Sequence, residues 1–269
     1  MRLGFVSAIL PELTLDEVVA VAGEEGYKVV EVMCWPKGRA DRRYAGVTHI
    51  DVGTVDDREV SRIAELHKRA GVSLSGLGYY PNPLAKDEKA AGVYIEHLKE
   101  VIQVAARLGV HQVNTFIGRE IDRDLDYNLE KFARVWKPIV ALAEAHGVRI
   151  GIENCSMFFT RDEWPNGANI APIYEFTDRI FHVHLKDAKI LRERLRDVGV
   201  LATPLEFHAP KLPGLGEVNW GAFFSALTDI RYAGPVCVEV EDHSFEESLE
   251  SRKAALRVSR NYLKQFLPD

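Results

Sequence analysis

The stretch from Ile180 to Asp187, IFHVHLKD, alternates polar and apolar residues in the way that is typical of a β-strand. Successive side chains of a strand point to opposite faces, so His182, His184 and Lys186 share one face while the apolar residues pack on the other. Burial of imidazole and ammonium groups is costly unless they are paired. The stretch therefore predicts either a satisfied hydrogen-bond network in the core or one wall of a functional site.

Strand-like and helix-like segments alternate along most of the 269 residues. This alternation predicts βαβ units and a parallel sheet, and no glycine-rich phosphate loop follows the first strand, which favours a barrel over a dinucleotide-binding fold. We expect one α/β domain over residues 1–269, a TIM (β/α)8-type barrel. Only seven strands are found in the sequence, so we expect one strand–helix unit to be missing between Asn154 and Ile180, leaving the barrel open or distorted there.

The composition excludes several classes of protein. The formal net charge of −6 and the sequence pI of about 5.9 argue against a nucleic-acid partner. No apolar run is long enough to span a membrane, and the opening MRLGFVSAIL is interpreted as the first strand rather than a signal peptide. The three cysteines lie far apart without a CxxC pair, which suits a reducing compartment, so we expect a cytoplasmic protein.

Two glutamates follow apolar strands at positions where chemistry gathers in a parallel barrel. Glu153 comes directly after Ile150-Gly151-Ile152, and Glu239 comes after Val236-Cys237-Val238. The C-terminal strand ends of such a barrel meet on one face, where His184 is also expected. Two carboxylates and an imidazole suit one divalent ion such as Mn²⁺, Zn²⁺, Co²⁺ or Mg²⁺. The alternative is that each carboxylate pairs with a nearby lysine or arginine.

Further candidates for substrate contact lie on predicted strand ends and loops, where binding residues are common. These aromatic and imidazole groups could stack on the apolar face of a sugar, or they could be ordinary core and rim residues. They are Trp35, Tyr79, Tyr80, Phe116 and His208.

Four segments in a fixed order resemble a known family. They are GIEN at 151–154, HVHLKD at 182–187, PGLGEVNW at 213–220 and VEVED at 238–242. Together they resemble the sugar phosphate isomerases and epimerases with a xylose isomerase-like TIM barrel, which include ketose 3-epimerases and inosose dehydratases. The resemblance runs over nearly the whole chain.

The resemblance implies a metal site made by four strand ends. Members of the family bind one divalent ion through a Glu after strand five, an Asp after strand six, a His after strand seven and a Glu after strand eight. Glu153, His184 and Glu239 match the first, third and fourth of these ligands, and the Asp has no match in this sequence.

The resemblance also implies a reaction, namely proton transfer next to a carbonyl through an enediolate. Glu153 and Glu239 would remove and return the proton, and Lys186 would assist the developing oxyanion, unless it forms a structural salt bridge with Asp187. We therefore expect a divalent-metal-dependent isomerase or epimerase of a small sugar, sugar phosphate or keto-polyol, with dehydration as a related chemistry.

Two alternatives from other classes stay open. One is a non-catalytic barrel that binds a sugar-like ligand or only assembles, and the other is a metal-dependent endonuclease-type phosphodiesterase, which the acidic pI disfavours. Unpaired strand edges beside the expected gap would lead to association, so we expect a homo-oligomer.

Overall fold

A computed structural model describes residues 1–38, 45–153, 170–199, 202 and 204–267. Its strands are β1 (Arg2–Val6), β2 (Val29–Met33), β3 (Ser73–Gly78), β4 (Gln112–Thr115), β5 (Arg149–Ile152), β6 (Val183–Leu185), β7 (Asp187–Ile190), β8 (His208–Lys211) and β9 (Pro235–Val238). Its helices are α1 (Leu15–Glu24), α2 (Asp57–Ala70), α3 (Glu88–Arg107), α4 (Leu125–Ala145), α5 (Ala171–Glu175), α6 (Arg192–Val198), α7 (Pro204–Phe207), α8 (Trp220–Asp229) and α9 (Leu249–Leu263).

The chain divides into two compact units. The first comprises residues 1–10, 20–30 and 155–269, and the second comprises residues 11–19 and 31–154. In the first unit β1, β9 and β6 are parallel neighbours in that order, and β7 and β8 form a separate antiparallel pair. In the second unit the strand order is β2, β3, β4, β5, with β4 parallel to both β3 and β5. The predicted α/β class is therefore confirmed.

The predicted gap in the barrel falls mainly on residues 154–169, which lie outside the described residues together with Cys155. The other two cysteines, Cys34 and Cys237, are buried free thiols. Burial raises the pKa of the Cys34 thiol, which keeps it in the unreactive protonated form. Within the described ranges, the helices are too short or too polar to cross a lipid bilayer.

The sequence Thr14-Leu15-Asp16-Glu17 predicts a capping box, and the first helix begins there. The backbone N–H of Thr14 donates to Glu17 Oε2 at 2.7 Å, and the N–H of Glu17 donates to Thr14 Oγ1 at 3.3 Å. Two N–H groups that a helix leaves unsatisfied are thereby paired reciprocally. The sequence also predicts that Asn219 caps the helix that starts at Trp220. Asn219 does cap α8, because its Oδ1 accepts the N–H of Ala222 at 3.1 Å.

The last helix begins later than the sequence predicted. The sequence Ser244-Phe245-Glu246-Glu247 predicts a capping box for this helix, but α9 starts at Leu249, where Ser248 Oγ accepts the N–H of Ser251. The reason lies in Asp242, whose Oδ1 accepts the N–H of Ser244 at 3.1 Å and holds His243–Phe245 in a 3-10 turn.

The stretch from Ile180 to Asp187, which the sequence predicts as one strand, contains β6 and the first residue of β7. β6 covers only Val183–Leu185, and β7 turns away from Asp187 to pair antiparallel with β8. The sequence from Ala188 to Glu217 is rich in charge and then in proline and glycine, which predicts a long loop. This prediction is wrong, since the segment contains α6, α7, β8 and most of β7.

Asp187 is the reason for this change of direction. Its side chain is almost fully buried, and both of its oxygens accept hydrogen bonds from the segment that follows. Oδ1 accepts from the N–H groups of Ala188 at 2.8 Å and Val218 at 3.0 Å. Oδ2 accepts from the N–H of Gly214 at 3.0 Å and from Trp220 Nε1 at 2.9 Å. One carboxylate thus fastens the PGLGEVNW segment to the start of β7.

We expect Asp187→Asn to lower the free energy of unfolding by roughly 3 kcal/mol, because an amide NH2 would face two N–H donors in either orientation. Urea unfolding followed by circular dichroism measures this loss. Asp178→Asn is the control, since Asp178 is exposed and should change the free energy little. Equal stability of the two variants would contradict the role given to Asp187.

The spacing of His67 with Val60, Ile63 and Ala64 predicts a core histidine on α2, and its side chain is partly buried there. Its Nδ1 lies 2.8 Å from the carbonyl oxygen of Val72, so the neutral ring donates there. Its Nε2 is buried and has no hydrogen-bond partner within the described part of the chain. Burial lowers the pKa of His67 below its ordinary 6.5, although the hydrogen bond to Val72 opposes that shift.

The free energy of unfolding should therefore fall as the pH drops below about 6.5, because His67 is protonated in the unfolded chain at a pH where it is still neutral in the folded protein. We expect His67→Asn, which cannot titrate, to lose less unfolding free energy than the wild type between pH 7 and pH 5. Urea titrations at each pH test this. His111→Asn is the matched control, since exposed His111 also contacts a carbonyl through Nδ1, at 3.2 Å from Gly147 O. A parallel loss in wild type and His67→Asn would contradict the assignment.

Candidate metal and substrate site

The pairing of β6 with β9 places the polar residues on and just beyond these two strands side by side. His184 is the register partner of Cys237, and Leu185 is the partner of Val238. Register partners on neighbouring parallel strands point to the same face, so Lys186 lies beside Glu239 at the strand ends. The N–H of Glu239 donates to the carbonyl oxygen of Leu185 at 3.2 Å, which extends the pairing to this position.

One carboxylate oxygen is the centre of the resulting cluster. Glu239 Oε2 lies 3.3 Å from His184 Nδ1 and 2.7 Å from Lys186 Nζ. The same ammonium lies 3.7 Å from Glu241 Oε2. Lys186 therefore forms ion pairs with these two glutamates, while Asp187, the expected alternative partner, accepts the N–H groups of Ala188 and Gly214.

The donor atoms of His184 and Glu239 fit a divalent ion. Two ligand atoms that each lie about 2.1 Å from one ion are separated by about 3.0 to 3.4 Å, and the observed separation is 3.3 Å. An imidazole nitrogen and a carboxylate oxygen suit zinc, manganese or cobalt. The neighbouring His182 is a different case, because its Nε2 lies 3.6 Å from the buried thiol of Cys237. Because His182 lies one layer deeper than His184, the sequence favours a hydrogen-bonding core residue over a metal ligand, and this contact supports that role.

Glu153 belongs to the second unit, where it directly follows β5. Its N–H donates to the carbonyl oxygen of Thr115 at 2.9 Å. Asn114 is the register partner of both Gly78 and Gly151, so the residues two positions further on share one face of this unit. These residues are Tyr80, Phe116 and Glu153. The rings of Tyr80 and Phe116 are in contact, with centroids 5.0 Å apart.

A buried carboxylate on this face is not among the site residues predicted from the sequence. Glu31 on β2 is completely buried, and the hydroxyl of Tyr80 donates to its Oε1. The sequence carried a signal, because Glu31 is a charged residue in the middle of the apolar run Val29–Met33. A charge in such a run costs free energy unless it is paired, so the position of Glu31 predicts a buried carboxylate with a hydrogen-bond partner.

The same face also carries a pair of buried amides on β4. Gln112 Nε2 donates to Asn114 Oδ1 at 2.7 Å, and the other polar atom of each amide, Gln112 Oε1 and Asn114 Nδ2, has no partner among the described residues. Room for the amides exists because Gly151 has no side chain. A Cβ added at Gly151 would overlap both amide groups.

We expect Gly151→Ala to lower the free energy of unfolding by about 1 to 3 kcal/mol, since the added methyl group has to displace two packed amides. Gly92→Ala is the matched control, because nothing lies within 4 Å of a Cβ added there in α3. That change should raise the free energy of unfolding by up to about 1 kcal/mol. Thermal or urea unfolding compares the two, and a stabilised Gly151→Ala would refute the packing described.

The aromatic candidates for substrate contact lie mostly in packed surroundings. The rings of Trp35 and Tyr79 meet edge to face at 4.9 Å, and Tyr79 meets the ring of His97 at 4.7 Å. Tyr79 is buried, which raises the pKa of its hydroxyl, whereas Trp35 is partly exposed. His208 stands in the first unit on β8, opposite Ile190 of β7. Trp35 and His208 thus keep more accessible surface for a ligand than Tyr79 or Phe116.

The family of the chain follows from comparison with known proteins. A family model described as xylose isomerase-like TIM barrel matches residues 19–164 and 160–266. The chain belongs to this family, and its fold class is that of a xylose isomerase-like TIM barrel. No curated protein matches the sequence.

Solved structures with the same fold include enzymes that act on sugars and related compounds. D-psicose 3-epimerase from Clostridium cellulolyticum H10 matches with a TM-score of 0.71 and 14% identity, covering 100% of both chains. The probable 3-DHS dehydratase AsbF from Bacillus anthracis matches with a TM-score of 0.71 and 13% identity, covering 98% of this chain and 99% of that one. The IOLI protein with a bound zinc atom matches with a TM-score of 0.66 and 16% identity, covering 99% of this chain and 98% of that one.

Proposed function

We propose that the protein is a divalent-metal-dependent isomerase or epimerase of a small sugar, sugar phosphate or keto-polyol. The observation that carries the proposal is the cluster of His184, Lys186 and Glu239 at the ends of two paired strands. An ion-binding pair of side chains next to an ammonium group suits chemistry in which negative charge develops on substrate oxygens. Membership of the family and the similarity to epimerase and dehydratase structures support the same reaction class.

In this proposal Glu153, His184 and Glu239 hold Mn²⁺, Zn²⁺, Co²⁺ or Mg²⁺. The pair His184 and Glu239 is supported by the separation of its donor atoms. Glu153 is included because it matches the family ligand after strand five. A water molecule or a nearby side chain would complete the coordination in place of the Asp that has no match.

The chain's own groups would move the proton. The bound ion would act as a Lewis acid that draws charge from the carbonyl oxygen of the substrate. Glu239 removes the proton from the carbon beside the carbonyl, and Glu153 returns a proton to that carbon. Lys186 donates hydrogen bonds to the oxygen that gains negative charge.

The proposal also covers the residues that contact the substrate, the location of the protein and its oligomeric state. Trp35, Tyr79, Phe116 and His208 are retained as substrate contacts, with Trp35 and His208 favoured because they are less buried. A cytoplasmic location and a homo-oligomer stay predictions, as does the single domain over residues 1–269.

We expect the protein to exchange the hydrogen beside the carbonyl of at least one ketose with deuterium from deuterated water when Mn²⁺ or Co²⁺ is added. Glu239→Gln should slow this exchange by about 10²- to 10⁴-fold, because a general base is lost. Glu153→Gln should slow it by a similar factor. Proton NMR of a panel of ketoses, sugar phosphates and keto-inositols measures the exchange.

Glu217→Gln serves as the control, since Glu217 pairs with Arg192 at 2.9 Å and is not placed in the site. Exchange that survives in Glu239→Gln would remove Glu239 from the mechanism. The absence of exchange over the whole panel would favour the alternative of a non-catalytic, sugar-binding barrel.

A further inference from the structure

The ammonium group of Lys186 is held between two carboxylates of the segment that follows β9. It lies 2.7 Å from Glu239 Oε2 and 3.7 Å from Glu241 Oε2. The two glutamates are two residues apart, and each directs a carboxylate oxygen to this ammonium. The side chains are partly accessible, with 28% exposed for Lys186, 19% for Glu239 and 32% for Glu241. A small movement would therefore exchange one partner of the ammonium for the other.

The contact with Glu239 conflicts with metal binding at the same oxygen. Glu239 Oε2 is also the atom that lies 3.3 Å from His184 Nδ1, the separation expected of two ligands of one ion. An ion bound by these two atoms would lie close to the ammonium, and like charges at such a distance repel strongly where solvent is partly excluded. The ammonium and the divalent ion therefore compete for one carboxylate oxygen.

Glu241 offers the ammonium a second acceptor. Its Oε2 is about 1 Å beyond the distance of a normal charge-assisted hydrogen bond to Lys186 Nζ. Lysine carries its charge on a flexible four-carbon stem with three donors, so it can make this move without a change in the backbone.

We propose that Lys186 exchanges partners when a divalent ion binds, leaving Glu239 to the ion and pairing with Glu241. The proposal rests on the metal centre of the proposed function. Glu241 is then a positioning residue, because it neither binds the ion nor touches the reacting atoms but holds the ammonium beside them. The exchange keeps the Lys186 charge close to the substrate oxygens while it frees the metal ligand.

The test is a double-mutant cycle on the affinity for Mn²⁺ alone, measured from the electron paramagnetic resonance signal of the free ion. We expect Lys186→Met to tighten Mn²⁺ binding at least about fivefold, because the competing cation is removed, and Lys186→Arg to stay near the wild type. Glu241→Gln should weaken binding at least about fivefold when Lys186 is present and less than about twofold in the K186M background.

Lys189→Met is the matched control, since this exposed lysine of β7 should leave the affinity unchanged. Circular dichroism checks that every variant is folded.

Three results would overturn the proposal. If Glu241→Gln weakens binding equally in both backgrounds, Glu241 acts only through its charge on the ion and no exchange takes place. If K186M binds Mn²⁺ as the wild type does, there is no competition, although the metal centre stands. If no variant binds Mn²⁺, Zn²⁺ or Co²⁺, the metal centre itself is wrong and the exchange falls with it.

Discussion

The parallel pairing of β6 with β9 is the constraint on which the candidate site depends. Three residues of β6 pair with three of β9, and this short ladder decides which side chains meet beyond it. A shift by one residue would turn His184 and Glu239 to opposite faces. Because the flanking residues Val183, Leu185, Val236 and Val238 are buried, such a shift would also expose apolar surface, so the core itself maintains the register.

A second constraint acts on the segment after β6. The chain leaves the direction of β6 at Asp187. Both oxygens of this carboxylate accept hydrogen bonds, one from the N–H of Ala188 and three from the PGLGEVNW segment. Lys211 of β8 then contacts Asp242 at 2.9 Å, close to the glutamates that follow β9. Asp187 and Lys211 are register partners, so this end of the pair β7–β8 is held close to the glutamates that follow β9. The two strands therefore support the site from within a segment that the sequence predicts to be a loop.

The sequence revealed the regular parts of the fold because their signals are local. Alternating polarity, the Thr14 to Glu17 box and the Asn219 cap depend on residues within a few positions, and these predictions were confirmed. The strand end at Leu185 and the late start of α9 were missed because each depends on a distant hydrogen bond to Asp187 or near Asp242. His184 and Glu239 were correctly expected to be neighbours, whereas the contact of Lys186 with Glu239 rather than Asp187 could not be read from spacing. Glu31 was missed although its apolar neighbours gave a usable signal.

The amides of Gln112 and Asn114 show that side chains of one strand fill space that glycines on the neighbouring strands leave open. β4 carries side chains that are long for an interior position, and the neighbouring strands yield volume by having glycine at 76 and 151. A larger residue on one strand can therefore be accommodated only if a smaller one replaces an amide on the next strand. For anyone who redesigns this interior, positions 76, 112, 114 and 151 form one packing unit whose members have to be exchanged together.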